Sequence, residues 1–321
     1  MNETHVCIIG AGRHARANIY PSLALIPGVI VDAVCTRHLE NAAQTLRQIG
    51  SGGHAYDDID RMLAEEPCRN VLIIMQAEDA CQAVMKCVRA GKRVFCEKPL
   101  GMNCEQAESI RRVASVTGSD VMVGFMKEYA PVYCMIREDI RKETYGKPLS
   151  YRGTFNVYAS AFCASDREFF YYVAIHYIAL VRSLFGSTEI IHAAASNIGV
   201  GNSYDVLLRH ETGVIGALHF ENRSAWTREF EELSVTFENG FMNTSDLRTL
   251  RIHRSGDKKI GMLSEREEVL YPTEDPGSGM SRDLILRGFY GELEFFLKGE
   301  SPELIENTEV NRILDDILRR L

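Results

Sequence analysis

Through residue 125 the chain repeats one pattern, a short apolar run without alternation followed by a stretch of helical periodicity. Residues 6–9, 29–35, 70–75, 94–96 and 121–125 are such runs, rich in Val, Ile and Cys. Runs of this kind are strands buried on both faces, and helices between them imply a parallel sheet. The pattern predicts helices after Gly12 and over 39–49, 79–90 and 103–117, with Gly50, Gly91 and Gly118 as stop signals. Asn103 followed by Gln106 has the form of a capping box at the start of the last of these.

Beyond a helix expected over 131–144 the pattern changes. Residues 150–158, 189–198, 203–210, 214–222, 232–238 and 249–253 read as strands, with turns at 211–213 and 238–240. Strands joined by turns imply a mainly antiparallel sheet. A helix containing His176 and two terminal helices, 282–297 and 308–321, are expected to pack on one face of that sheet or to return to the first domain. Residues 273–279, with Pro276 and two glycines, read as a loop.

Composition narrows the function classes. The chain has 321 residues, 36 Lys plus Arg against 44 Asp plus Glu, and a net charge of −8. That length suggests two domains. The acidic balance lacks the basic stripe that nucleic acid requires. No apolar run approaches the ~18 residues of a membrane helix, and Met1 to His5 lacks a basic leader, so neither membrane nor nucleic acid is an expected partner. The nine cysteines lack a Cys-x-x-Cys pair and mostly sit in apolar segments. They are expected to be reduced thiols in a cytoplasmic protein, with no metal centre.

The first chemical signal is Gly10-Ala11-Gly12-Arg13-His14-Ala15, a G-x-G-x-x-A loop between a strand and a helix. Its first Gly permits a tight turn, its second lets backbone approach a pyrophosphate, and the small third residue brings helix and strand together. The expected fold is therefore α/β: an N-terminal Rossmann doubly wound parallel sheet, residues 1–125, plus a C-terminal α+β domain, residues 126–321, with a mainly antiparallel sheet. The second strand ends in Cys35-Thr36-Arg37, without the acid that usually binds the adenosine ribose. A hydroxyl and a guanidinium suit a 2′-phosphate, so NADP(H) is the expected cofactor in preference to NAD(H).

Glu97-Lys98-Pro99-Leu100 resembles the Glu-Lys-Pro signature of the Gfo/Idh/MocA oxidoreductases. Val123-Gly124-Phe125, followed by Tyr129 and Pro131, resembles that family's next block, and the segment from Ile175 to Gly186 resembles its substrate-domain helix. The blocks stand in family order along the whole chain. The resemblance implies an NAD(P)-dependent dehydrogenase or reductase acting on a secondary hydroxyl or ketone of a sugar, cyclitol or related polyol. It places Lys98 and His176 beside the nicotinamide and the substrate carbon. A His near neutral pKa suits the hydroxyl proton, and a Lys suits the forming carbonyl oxygen.

The chain departs from the family pattern at three places. Tyr172 stands where an Asp usually precedes the helix His by four residues, and a shared helix face would still bring its phenol to the cleft. Ala179 replaces a second Asp, and Met75-Gln76 with Ala80 replaces a Thr-Pro…His block at the nicotinamide. The expected catalytic residues are Lys98, His176 and Tyr172. Gly10, Gly12, Arg13, His14, Ala15, Thr36, Arg37, Met75, Gln76, Glu97 and Lys98 are expected to bind cofactor. Tyr129, Tyr158, Tyr172 and His176 are expected to meet substrate, with Phe125 and Trp226 as weaker candidates, while Arg152, Arg223 and Arg228 could serve as a substrate handle or equally be surface residues. The resemblance further implies a cis Lys98–Pro99 bond and a homodimer or homotetramer through the antiparallel sheet, whose second face needs cover. The alternative is a non-catalytic dinucleotide sensor on the same fold.

Overall fold

The computed structural model describes residues 3–160, 162–260, 263–272, 279–300 and 304–321. The chain divides into two compact units, Met1–Met126 with Met280–Arg312 and Lys127–Gly279 with Ile313–Leu321. The loop expected over 273–279 lies outside the described residues except for Gly279, which opens a helix.

The first unit is built on a six-stranded parallel sheet in the order β3-β2-β1-β4-β5-β6. The strands are β1 Thr4–Ile9, β2 Val29–Cys35, β3 His54–Tyr56, β4 Asn70–Ile73, β5 Arg93–Glu97 and β6 Val121–Gly124. β1, β4, β5 and β6 are buried almost end to end, which is why they read as unbroken apolar runs. β3 and the helix Ile59–Glu65 were not anticipated, because three residues of His-Ala-Tyr carry no period. The helix Cys104–Thr117 starts as predicted, with the Asn103 side chain accepting from the Gln106 N–H at 2.9 Å. Gln106 answers one residue early: its Oε1 accepts the Met102 N–H at 2.7 Å.

The helix expected over 282–297 is two, Gly279–Leu286 and Phe289–Leu297, parted at Gly288 with φ +96°. The last helix, Leu304–Arg320, begins earlier than expected. Arg93 of β5 ties this part of the chain to the sheet: it donates to the Phe296 and Glu300 carbonyls and lies 4.1 Å from the Phe296 ring centroid.

The second unit carries an eight-stranded sheet in the order β14-β13-β12-β11-β7-β10-β9-β8. Its strands are β7 Pro148–Asn156, β8 Thr188–Ser196, β9 Asn202–His210, β10 Ile215–Asn222, β11 Phe230–Phe237, β12 Gly240–Ser245, β13 Thr249–Ile260 and β14 Leu263–Leu270. Only β7 and β10 pair in parallel; the other pairs are antiparallel. Both predicted turns join neighbours, β9 to β10 and β11 to β12. β12 and β14 escaped the sequence because Gly-Phe-Met-Asn-Thr-Ser and Leu-Ser-Glu-Arg-Glu-Glu-Val-Leu are too polar to read as strands.

Alternation sets the buried face of this sheet. Tyr204, Val206, Leu208 and His210 of β9 are buried while Asp205, Leu207 and Arg209 are exposed. The helix Ile175–Phe185 packs on the buried face through the Tyr177 ring, stacked on Phe155 at 5.3 Å, and Phe185, stacked on Tyr151 at 4.5 Å. The opposite face is mixed rather than apolar: Leu207, Ile215 and Phe241 are exposed among Arg152, Asp205 and Arg209.

Candidate functional site

In the first unit the chain leaves β1 for β2 on one side and reaches β4 on the other, so the sheet order reverses at β1. Ligands of doubly wound sheets bind at the carboxyl ends of strands at such a point. Gly10 sits there with φ +108°, a conformation that L side chains rarely adopt, and a Cβ on it would lie 2.0 Å from the Ile74 carbonyl oxygen. The turn is held by the Gly10 N–H donating to the Cys35 carbonyl at 2.9 Å and by the Tyr20 hydroxyl donating to the Gly10 carbonyl at 2.6 Å. A Cβ on Gly12 would meet nothing within 4 Å. Open space over Gly12, above a helix that begins at Arg13, fits the close approach of a pyrophosphate to backbone. Ala15 is fully buried, as close contact between helix and strand requires.

The helix that follows is π-helical over Ala15–Ile19. Its wider turn accompanies a link the sequence did not disclose. His14 Nε2 and Glu97 Oε1 are 2.9 Å apart, and the Asn18 amide donates to His14 Nδ1 at 3.0 Å. With Nδ1 accepting, Nε2 carries the proton given to Glu97. The His14 ring also meets Phe289 edge-on at 5.6 Å. The phosphate helix is thus fastened to the strand end that carries Lys98. Lys98 is half-buried, and the Lys98–Pro99 bond is cis as expected. Asn311, fully buried, donates to the Leu100 and Gly101 carbonyls at 3.1 and 3.2 Å and holds the far side of the same loop.

Thr36 and Arg37 lie at the end of β2, Thr36 half-buried and Arg37 exposed. The Thr36 hydroxyl donates to the His38 carbonyl at 2.7 Å, and the Arg37 guanidinium is ion-paired with Asp79. Arg13 is exposed beside the loop. Met75 is half-buried, its Cγ 3.4 Å from the position of a Gly10 Cβ, and exposed Gln76 is the N-cap of the helix Ala77–Arg89. Ala80 is buried inside that helix. Phe125 is buried at the end of β6.

In the second unit His176 lies near the start of the helix Ile175–Phe185, 8% exposed, with Ala179 fully buried below it. Tyr172 is half-buried in a π-helical turn, Phe170–Ala174. That turn changes the expected geometry, because the i, i+4 relation of a straight α-helix does not span a π-bulge. Its neighbour Tyr171 is fully buried and donates to Asp315 at 2.9 Å, and burial raises its phenol pKa. Tyr129 is half-buried in the short turn Met126–Tyr129, and Tyr158 is 42% exposed beyond β7. Trp226 stacks on Phe230 at 5.4 Å and donates to Glu221. Of the three arginines open between substrate handle and surface, Arg152 is exposed, Arg223 staples the Ser196 and Ile198 carbonyls to Ser203, and Arg228 pairs with Asp246 at 2.8 Å.

The sequence missed one cluster of this unit. Lys127 Nζ and the Glu231 carboxylate are 2.7 and 2.8 Å apart with both side chains almost wholly buried. The Tyr133 hydroxyl donates to Glu231 at 3.1 Å and lies 3.0 Å from the Tyr177 hydroxyl. Lys127 also sits 4.5 Å from the centre of the Phe155 ring. Burial, then the Glu231 charge, pushes the Tyr133 phenol well above its ordinary pKa. A signal existed: Glu231 shares strand parity with the buried Leu233, Val235 and Phe237, so its carboxylate had to face the core.

Among the described residues no helix is long and apolar enough to cross a membrane, and no group of His, Cys, Asp and Glu is arranged to hold a metal. No disulfide joins the nine cysteines.

Residues 4–125 match a family model described as an oxidoreductase family with an NAD-binding Rossmann fold. An inositol 2-dehydrogenase/D-chiro-inositol 3-dehydrogenase of Lactiplantibacillus plantarum is 31% identical over 153 residues, 46% of this chain and 44% of that protein. The chain thus matches less than half the length of this curated relative. A dehydrogenase from Chromobacterium violaceum superposes with a TM-score of 0.87 at 18% identity, covering 99% of this chain and 95% of that one. A levoglucosan dehydrogenase in complex with NADH and L-sorbose gives 0.83 at 18% identity, covering 100% and 97%. At such identities the likeness to these structures is one of fold.

Proposed function

We propose, from the match of residues 4–125 to that oxidoreductase family, that the chain is a Gfo/Idh/MocA-type, NAD(P)-dependent oxidoreductase of sugars, cyclitols or related polyols. The observation that carries this reading is the loop at Gly10 and Gly12, open where a pyrophosphate would lie and fastened by His14 to the strand end bearing Lys98. The inositol and levoglucosan dehydrogenases among its likenesses support the substrate class.

When bound, the nicotinamide supplies or accepts the hydride. The chain's own groups handle the proton and the charge. In the oxidative direction His176 takes the hydroxyl proton of a secondary alcohol as the hydride leaves its carbon. The Lys98 ammonium stabilises the oxygen as it becomes a carbonyl. Tyr129, Tyr158 and Tyr172 are the proposed substrate contacts, with Met75 and Gln76 toward the nicotinamide. Thr36, Arg37 and Arg13 favour NADP(H) over NAD(H), the Thr36 hydroxyl turning from His38 to the 2′-phosphate. In this reading residues 1–125 bind cofactor and 126–321, apart from the stretch 280–312 that returns to the first unit, bind substrate in a cytoplasmic homodimer or homotetramer joined through the mixed open face of the sheet.

One observation favours a second reading, a dinucleotide sensor: Tyr172 and Ala179 replace both acids that usually flank the helix His. Following reduced nicotinamide by absorbance across a panel of sugars and cyclitols decides between the two. Turnover is expected, with Lys98→Ala and His176→Ala each losing at least ~10²-fold while still folding and binding cofactor. A loss of that size for Tyr172→Phe would make the phenol the proton carrier. Tight cofactor binding without turnover of any substrate would refute the enzyme.

A further inference from the structure

We infer that Asp79 is a specificity-determining residue for the cofactor, competing with the 2′-phosphate for Arg37; this rests on Arg37 lying at the adenosine end of the proposed site. Arg37 stands two residues past β2, and Asp79 lies in the first turn of the helix that follows β4. Their side chains form an ion pair, 75% and 46% exposed. β1 runs between β2 and β4, so the pair bridges the carboxyl end of β1, about 10 Å across at ordinary strand spacing. Gly10 opens the phosphate loop at that end.

A dinucleotide seated on the loop extends its adenosine ribose toward the end of β2. Arg37 therefore has two anions to choose between, the Asp79 carboxylate and a 2′-phosphate. The rim is acidic besides: Glu78 is exposed beside Asp79, and Asp57 and Asp58 act on Cys35 just before Arg37. Asp58 caps its own helix by accepting the Arg61 N–H, so it is occupied, whereas Asp79 is the group in contact with the guanidinium. An exposed pair of this kind is weak, so a phosphate can displace it. The displacement still subtracts from the affinity for a 2′-phosphorylated ligand and leaves an unphosphorylated one untouched. The local sequence at Thr36 and Arg37 thus favours NADP(H) more strongly than the folded chain does.

The test measures binding of adenosine 2′,5′-bisphosphate and adenosine 5′-phosphate to the full chain by calorimetry, which needs neither substrate nor turnover. Asp79→Asn is expected to tighten the bisphosphate about 1.5- to 5-fold, the range of an exposed pair, with the monophosphate unchanged. In the Arg37→Ala background that gain should shrink, because the competition has lost its object. A gain that persists there undiminished would mean that Asp79 acts as a bare charge, and the competition is overturned. If Arg37→Ala weakens the bisphosphate but Asp79→Asn changes neither probe, the inference falls and the cofactor reading stands. If Arg37→Ala weakens neither probe, both fall.

Discussion

Gly10 and Gly12 stand two residues apart, yet alanine at each should act in opposite ways. At Gly10 the new Cβ lies 2.0 Å from a backbone oxygen, where ordinary contact begins near 3.4 Å, and φ is +108°. The loop has little room to shift, because the Gly10 N–H and C=O are both hydrogen-bonded, to Cys35 and from Tyr20. Strain at such a φ costs ~1–3 kcal/mol and the clash adds to it, for a total of roughly 3–5 kcal/mol. At Gly12 the Cβ meets open space and φ is not positive. The alanine there restricts the unfolded chain and stabilises by ~0.4–1 kcal/mol. It also stands where a pyrophosphate needs bare backbone, and one lost charge-assisted hydrogen bond, ~1.5–3 kcal/mol, weakens binding at least about tenfold.

Thermal unfolding with and without NADH and NADPH separates the two effects. Gly12→Ala should melt at or above the parent, by about 1–4 °C, with the cofactor-induced rise much reduced. Gly10→Ala should melt well below the parent without ligand. An unaltered Kd for both cofactors in Gly12→Ala would refute the placement of the pyrophosphate over that residue. A Gly10→Ala protein as stable as the parent would refute the packing of the turn.

Lys127→Met or Glu231→Gln should each destabilise by ~3–5 kcal/mol in denaturant unfolding, since each strands a buried partner, while the double variant recovers much of the loss; a double loss equal to the sum of the two single losses would show that the pair is not coupled. Tyr133, Tyr151 and Tyr177 have pKa values pushed well above 10.0, by burial first of all. The unfolded chain therefore releases these protons first as pH rises past that value, and stability falls with further rise. Ultraviolet titration should show these phenolates appearing only as circular dichroism reports unfolding; their ionisation in a folded chain would contradict the burial.

How much of this protein its sequence determines follows the range of the interactions involved. Strands buried on both faces must be apolar at every position, so the central strands of the first sheet were legible as runs. The turn at Gly10 and the cap at Asn103 were legible because backbone conformation and capping are local. β12 and β14 were not legible, because pairing with a neighbour supplies what their polar sequences lack. The same holds for the polar pairs that join distant parts of the chain. His14 meets Glu97 across 83 residues, Arg37 meets Asp79 across 42, and Lys127 meets Glu231 across 104. Each residue type was on view in the chain, and the parity of Glu231 even declared that its charge needed a partner. Which partner each one found depended on strand order and helix packing, because charges and hydrogen bonds act over a few ångströms and only the fold brings distant residues that near.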